Sequence, residues 1–65
     1  MITICMTNGG SYDNVNSING HDASEIKPEI IIEILENDTF MNIVLNNGGK
    51  KAILRTSCIS SINYF

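Results

Sequence analysis

The chain has no tryptophan, one proline, one histidine, two cysteines, and four lysines and arginines against seven aspartates and glutamates. Each scarcity removes a class of protein. A net charge of −3 argues against a general phosphate-backbone binder, whose affinity comes from clustered cations. One histidine and two distant cysteines do not supply the roughly four ligands of a zinc site, so neither metal nor cofactor is expected. The cysteines allow one bridge at most. Cys5 and Cys58 sit among apolar, strand-like neighbours and read as free thiols facing the core, with a single disulfide as the alternative. No apolar run approaches the roughly 20 residues that cross a bilayer. The opening MITICMTNGG lacks a basic start followed by an apolar stretch and a cleavage site, so a cytoplasmic location is expected, with no membrane partner.

What remains is a single domain, 1–65, near the lower size at which one apolar core holds a fold. Chains this short are commonly reinforced by disulfides, a metal or copies of themselves. With the first two disfavoured, a homo-oligomer is expected.

The segment MITICMT sets Ile2, Ile4 and Met6 against Thr3, Cys5 and Thr7, the period-2 pattern of a half-buried strand. Asn8-Gly9 supplies the positive φ of a tight hairpin turn, after which SYDNV returns antiparallel. NSINGHDASE is polar and holds a second Asn-Gly, and it reads as a loop or wide hairpin connection. IKPEIIIEILEND admits two readings. As a helix it has Pro28 at the first position, Glu29 in the first turn and Ile26 placed to staple onto Ile31. Glu29, Glu33 and Glu36 then form a polar stripe opposite Ile30, Ile31, Ile34 and Leu35. As a strand, its β-branched run is welcome, but Glu33 shares a face with Ile31 and Leu35. The helix is preferred. FMNIVL is a strand, NNGG a hairpin turn and KKAILRTS the returning strand, while CISSI fits a short helical turn or a twisted edge strand. Tyr64 and Phe65 are expected to pack under the sheet or into a neighbouring subunit. The fold class is α+β: a small antiparallel sheet or partly rolled β-barrel with one short helix.

No residue set amounts to a catalytic centre, and an enzyme is not expected. His21, Asp22 and Glu25 resemble an acid/base group, but a lone histidine in a polar loop is ordinarily solvated. Cys58, beside Ser57 and near Arg55, reads as a small core residue rather than an activated thiolate. A carboxylate stripe along a helix diverges, whereas calcium and magnesium need oxygens converging on a point. NNGGKK is too short for a nucleotide-hydrolysis loop and joins strands instead of opening a helix. Its lysines, with Arg55 and Thr56 further along the strand, are either edge charges that discourage sheet-to-sheet aggregation or one side of an anion pocket shared between copies.

Two resemblances add expectations. DTFMNIVLNNGGKKAILRTSCISSI is similar to the second half of Sm-like small barrels through Phe40, Leu45, Gly49, Lys50, Ile59, Ser60 and Ile62. That likeness implies a barrel and an RNA-binding module, although Arg55, Thr56 and Ser57 stand where the family carries Tyr-Lys-His. The Asn- and Ile-rich composition matches an AT-rich genome. The order of an opening hairpin, an acidic Ile-rich helix and a Gly-turn hairpin ending in RTSCISSI resembles short accessory proteins of phages and prophages of low-GC bacteria. That likeness implies an inhibitor of host defence acting by occupancy in the host cytoplasm, either sequestering a small nucleotide signal between subunits or masking a host protein. In the first case Lys50, Lys51 and Arg55 neutralise phosphates, Thr56, Ser57 and Asn47 donate hydrogen bonds and Tyr12 stacks on a base. In the second, acidic residues such as Glu29, Glu33 and Asp38 mimic nucleic-acid charge.

Overall fold

A computed structural model describes all residues, 1–65. Six strands and one helix follow in the order β1 (Ile2–Met6), β2 (Ser11–Ile18), β3 (His21–Asp22), α1 (Pro28–Asn37), β4 (Phe40–Leu45), β5 (Lys51–Arg55) and β6 (Ile59–Tyr64), with a 3₁₀ turn at Thr56–Cys58 between the last two. All pairings are antiparallel. The sheet order is β5-β4-β2-β1-β6, with β3 attached to β2. β5 and β6 are consecutive in the chain yet occupy opposite ends of that order, so the sheet is rolled but does not close.

Turn chemistry sets the hairpins. Gly9 (φ 91°) lies in the first, Asn19 and Gly20 (φ 49° and 82°) form the β2–β3 turn, and Gly48 and Gly49 (φ 72° and 70°) turn β4 into β5. A left-handed pair at Asn-Gly matches the twist of the strands it joins. This makes NSINGHD a tight hairpin, where its polarity suggests a loop or a wide hairpin connection. β2 continues through Asn16 and Ser17 to Ile18, because Ile18 is fully buried and its neighbours pair with β4. β2 also carries a bulge: Ile2 and Ile4 face Val15 and Tyr12, leaving Asp13 and Asn14 against Thr3, with Asn14 at φ 55°. Such an insertion bends the strand and raises its twist, which lets β2 serve both halves of the rolled sheet.

Residues 28–37 are helical. Lys27, preceding proline, is driven out of the α region (φ −89°, ψ 150°), so the helix starts at Pro28. It stops where Asp38 turns extended, with the Asp38 N–H bonded to the Ile34 carbonyl at 2.9 Å. Ile31 and Ile34 are buried, and Ile26 joins the same core, as the staple pairing requires. The core is Ile2, Ile4, Val15, Ile18, Ile26, Ile31, Ile34, Met41, Ile43 and Leu54. It is dominated by β-branched side chains that suit pleated strands, and no buried side-chain nitrogen or oxygen lacks a hydrogen-bond partner.

Cys5 and Cys58 are free and half-buried. Cys5 does not face the core. It shares the outward face of β1 with Thr3, where its Sγ accepts a contact from Asn63 Nδ2 at 3.7 Å, because strand alternation has given the inward positions to Ile2 and Ile4. CISSI divides into the 3₁₀ turn and the start of the edge strand β6. Tyr64 reaches back towards the helix entrance, with its hydroxyl 3.5 Å from the Ile26 carbonyl, while Phe65 is 79% exposed.

Candidate functional site

Strand alternation divides the expected ligand residues into two groups. Lys50 and Leu45 are a hydrogen-bonded pair, the Leu45 N–H reaching the Lys50 carbonyl at 2.7 Å. Lys50 therefore belongs to the face of Leu45, Ile43 and Met41, the inner face, at the tip of the β4–β5 hairpin. Lys51, opposite Val44, points to the other face with Ile53 and Arg55. The Lys-Lys pair is thus not a double charge at one point.

Tyr12 and Asn47 do come together. With Ser11, Asp13, Asn14, Leu45 and Asn46 they line a cavity of about 470 Å³ at the open end of the rolled sheet. Tyr12 is half-buried there because its partner across the strand is the fully buried Ile4, and it packs on the core as Leu45 does. The β2 bulge forms the cavity's wall: Asp13 is held by Thr3, whose Oγ1 donates to Asp13 Oδ1 at 3.2 Å, and the Asn46 N–H donates to the Asn14 carbonyl at 3.0 Å. The cavity thus offers an aromatic face and amide donors; Lys50 is not among its lining residues and lies across the hairpin from Leu45, which is.

Arg55, Thr56 and Ser57 lie at the far end of β5. Four residues of strand put Arg55 roughly 13 Å from Lys51. The Arg55 guanidinium stacks over the Phe40 ring at 5.1 Å, its cross-strand partner. Thr56 is committed to the turn: its Oγ1 lies 2.6 Å from the Asp38 carbonyl and 3.1 Å from that of Thr39, so its one proton is used inside the fold. Ser57 is exposed in the 3₁₀ turn.

The acid/base trio at the β2–β3 hairpin is structural at Asp22. Its Oδ1 accepts from the backbone N–H of Ser24 at 2.9 Å and from Ser24 Oγ at 2.8 Å, and these bonds hold its carboxyl below the usual carboxylate range. His21 lies on two shallow grooves, one shared with Asn19, Glu33 and Asp38, the other with Asp22 and Glu25. No three His, Cys, Asp or Glu side chains gather in a way that would hold a metal ion. No helix is long and apolar enough to cross a membrane.

Two features escaped the sequence reading. Phe40 and Ile53 are 48% and 70% exposed on the outer face of β4–β5, although both belong to apolar-looking strands. The signal lay in KAILR: once Leu54 is buried, period-2 alternation exposes Lys51, Ile53 and Arg55 together. No protein family's model matches the chain, and neither a curated protein nor a solved structure matches it.

Proposed function

We propose that the chain is a non-catalytic binding protein that associates with copies of itself and holds a small phosphate-bearing nucleotide, as a phage-type inhibitor that sequesters a host-defence signal would. The observation that carries this reading is the cavity joining Tyr12 to Asn47, residues far apart in sequence, beside the turn that bears Lys50. A base stacks on Tyr12, the amides of Asn46 and Asn47 meet polar edges, and Lys50 meets phosphate. Asp13 at the rim disfavours phosphate on its own side, which orients the ligand towards the hairpin tip. The cavity is open on one side, and a neighbouring copy walls it.

Self-association is supported by β6. Met1–Phe65 is a hydrogen-bonded pair of the β1–β6 ladder, with the Phe65 N–H 2.7 Å from the Met1 carbonyl, so the alternating pattern turns the backbone groups of Ile62 and Tyr64 outward. That edge carries Ser60, Ile62 and Tyr64 and no charge, which leaves it open to another strand.

Calorimetric titration of the chain with a panel of cyclic and linear nucleotides tests the ligand. Saturable binding is expected, weakened about tenfold by Lys50→Glu and by Tyr12→Ala. Binding by no nucleotide, or binding that neither substitution changes, contradicts the reading.

A further inference from the structure

The second open edge, β5, differs from β6 in its charge. The Leu45 N–H bonds to the Lys50 carbonyl and the Thr56 N–H to the Thr39 carbonyl, at 2.7 and 2.9 Å. Between these two bonds the antiparallel ladder alternates, so Ala52 and Leu54 direct their N–H and C=O groups at β4. Lys51, Ile53 and Arg55 direct theirs away from the sheet, with no strand beyond them. The same three residues carry the exposed side chains of β5. Backbone donors and acceptors, a 70% exposed isoleucine and two flanking cations therefore share one strip. Phe40 widens it, with Arg55 laid over its ring, and the outer face of β4 adds Asn42 and Val44 but no carboxylate.

We propose that this edge is a docking strand for an extended acidic segment of a partner protein, added to the sheet beside β5 with an apolar residue against Ile53 and a carboxylate two positions to either side, against Lys51 and Arg55. Strand addition satisfies the three outward backbone pairs, and side chains at alternate positions supply specificity. The spacing follows from period 2: residues opposite 51, 53 and 55 stand at p−2, p and p+2 on the incoming strand and share the outer face.

Charge selects this occupant over a second copy. Two β5 strands paired antiparallel about Ile53 set Lys51 of each opposite Arg55 of the other, and like charges directly opposite destabilise a sheet. Cations on an edge are a common guard against self-pairing, and the same cations favour an acidic strand. The surface lies on the opposite face of the hairpin from the Tyr12–Asn47 cavity, so it stands or falls independently of nucleotide binding.

The test uses the isotopically labelled full chain and a nine-residue probe peptide of threonines with a central isoleucine and glutamates two positions to each side. Control peptides carry lysines for the glutamates, or a proline in place of the isoleucine. The glutamate peptide is expected to slow amide exchange at Lys51, Ile53 and Arg55 and to bind at least about fivefold more tightly than either control, the difference shrinking as salt is raised. Lys51→Glu, at an exposed site, is expected to fold normally and abolish the preference between glutamate and lysine peptides, because it leaves one anion and one cation, Arg55, on the strip. Arg55→Gln serves as a second variant that weakens the glutamate peptide without abolishing the preference. Equal binding of the two charged peptides, or no protection at the three amides, overturns the proposal. Protection that rises with protein concentration alone assigns the edge to a second copy and overturns it too. Displacement of the peptide by a short RNA that binds these amides more tightly assigns it to nucleic acid, with the same consequence.

Discussion

Isoleucine at position 4 and isoleucine at position 53 have the same side chain and opposite situations. Ile4 is fully buried between β2 and β6, so Ile4→Ala leaves a cavity and is expected to cost about 2–5 kcal/mol in urea denaturation. Ile53 is 70% exposed, and Ile53→Thr is expected to change stability by less than about 0.5 kcal/mol. A loss at position 53 comparable to that at position 4 would mean that the outer strip of β5 is already covered. Tyr64 makes a prediction in pH. Partial burial and, secondarily, the Glu29 carboxylate raise its phenol above the usual value of 10.0. A raised folded pKa gives stability that is complete below the unfolded value and is lost as pH climbs through the folded one. Stability should therefore fall above pH ~10, and Tyr64→Phe should flatten that alkaline limb. At this scale the core isoleucines of β1 and the helix were legible from periodicity. The separation of the lysines was not: the sequence reading groups Lys50 and Lys51 with Arg55 around one ligand, whereas a strand sends neighbours to opposite faces.

Helix α1 begins without a side-chain cap. Lys27 occupies the N-cap in an extended conformation; its carbonyl accepts from the Ile30 N–H at 3.0 Å, but its side chain contributes no hydrogen bond to the first turn, and its charge opposes the positive end of the helix dipole. Lys27→Asp is expected to stabilise the chain by about 1 kcal/mol, measured as a raised denaturation midpoint with an unchanged slope. A lower midpoint would show that the lysine makes a contact more valuable than the cap. Most elements could be read from local chemistry. Pro28 and the acidic first turn marked the helix, and each Gly-containing turn marked a hairpin. The second half of β2 was missed because Asn16 and Ser17 look like loop residues. Their strand geometry comes from burial of Ile18 and pairing with β4, a contact distant in sequence. The β2 bulge was likewise missed: Asn14 tolerates the positive φ it adopts there, but the position of the bulge is set by where Ile2 and Ile4 find partners.

For the whole molecule, the accessible surface of 4231 Å² matches the roughly 4,100 Å² expected of a folded monomer of 7.2 kDa. Small size alone therefore does not oblige copies to share a core. Association is supported by the uncharged edge of β6 and the one-sided cavity, and the two edges separate by charge into one suited to a copy and one suited to an acidic partner. Amide exchange at Ile62 and Tyr64 is accordingly expected to slow as protein concentration rises, while exchange at Ile53 stays constant. The reverse pattern would exchange the roles of the two edges. The open, rolled α+β sheet with one helix was legible in the sequence. The route of the chain from β5 to β6 across the opening was not, because the 3₁₀ turn is held by the carbonyls of Asp38 and Thr39, remote from RTSC in sequence. Mass measurement under native conditions, with and without cyclic and linear nucleotides, tests the central claim most directly. The proposed function predicts a multiple of the 7.2 kDa chain that retains nucleotide. A single chain that carries none at micromolar concentration would contradict it.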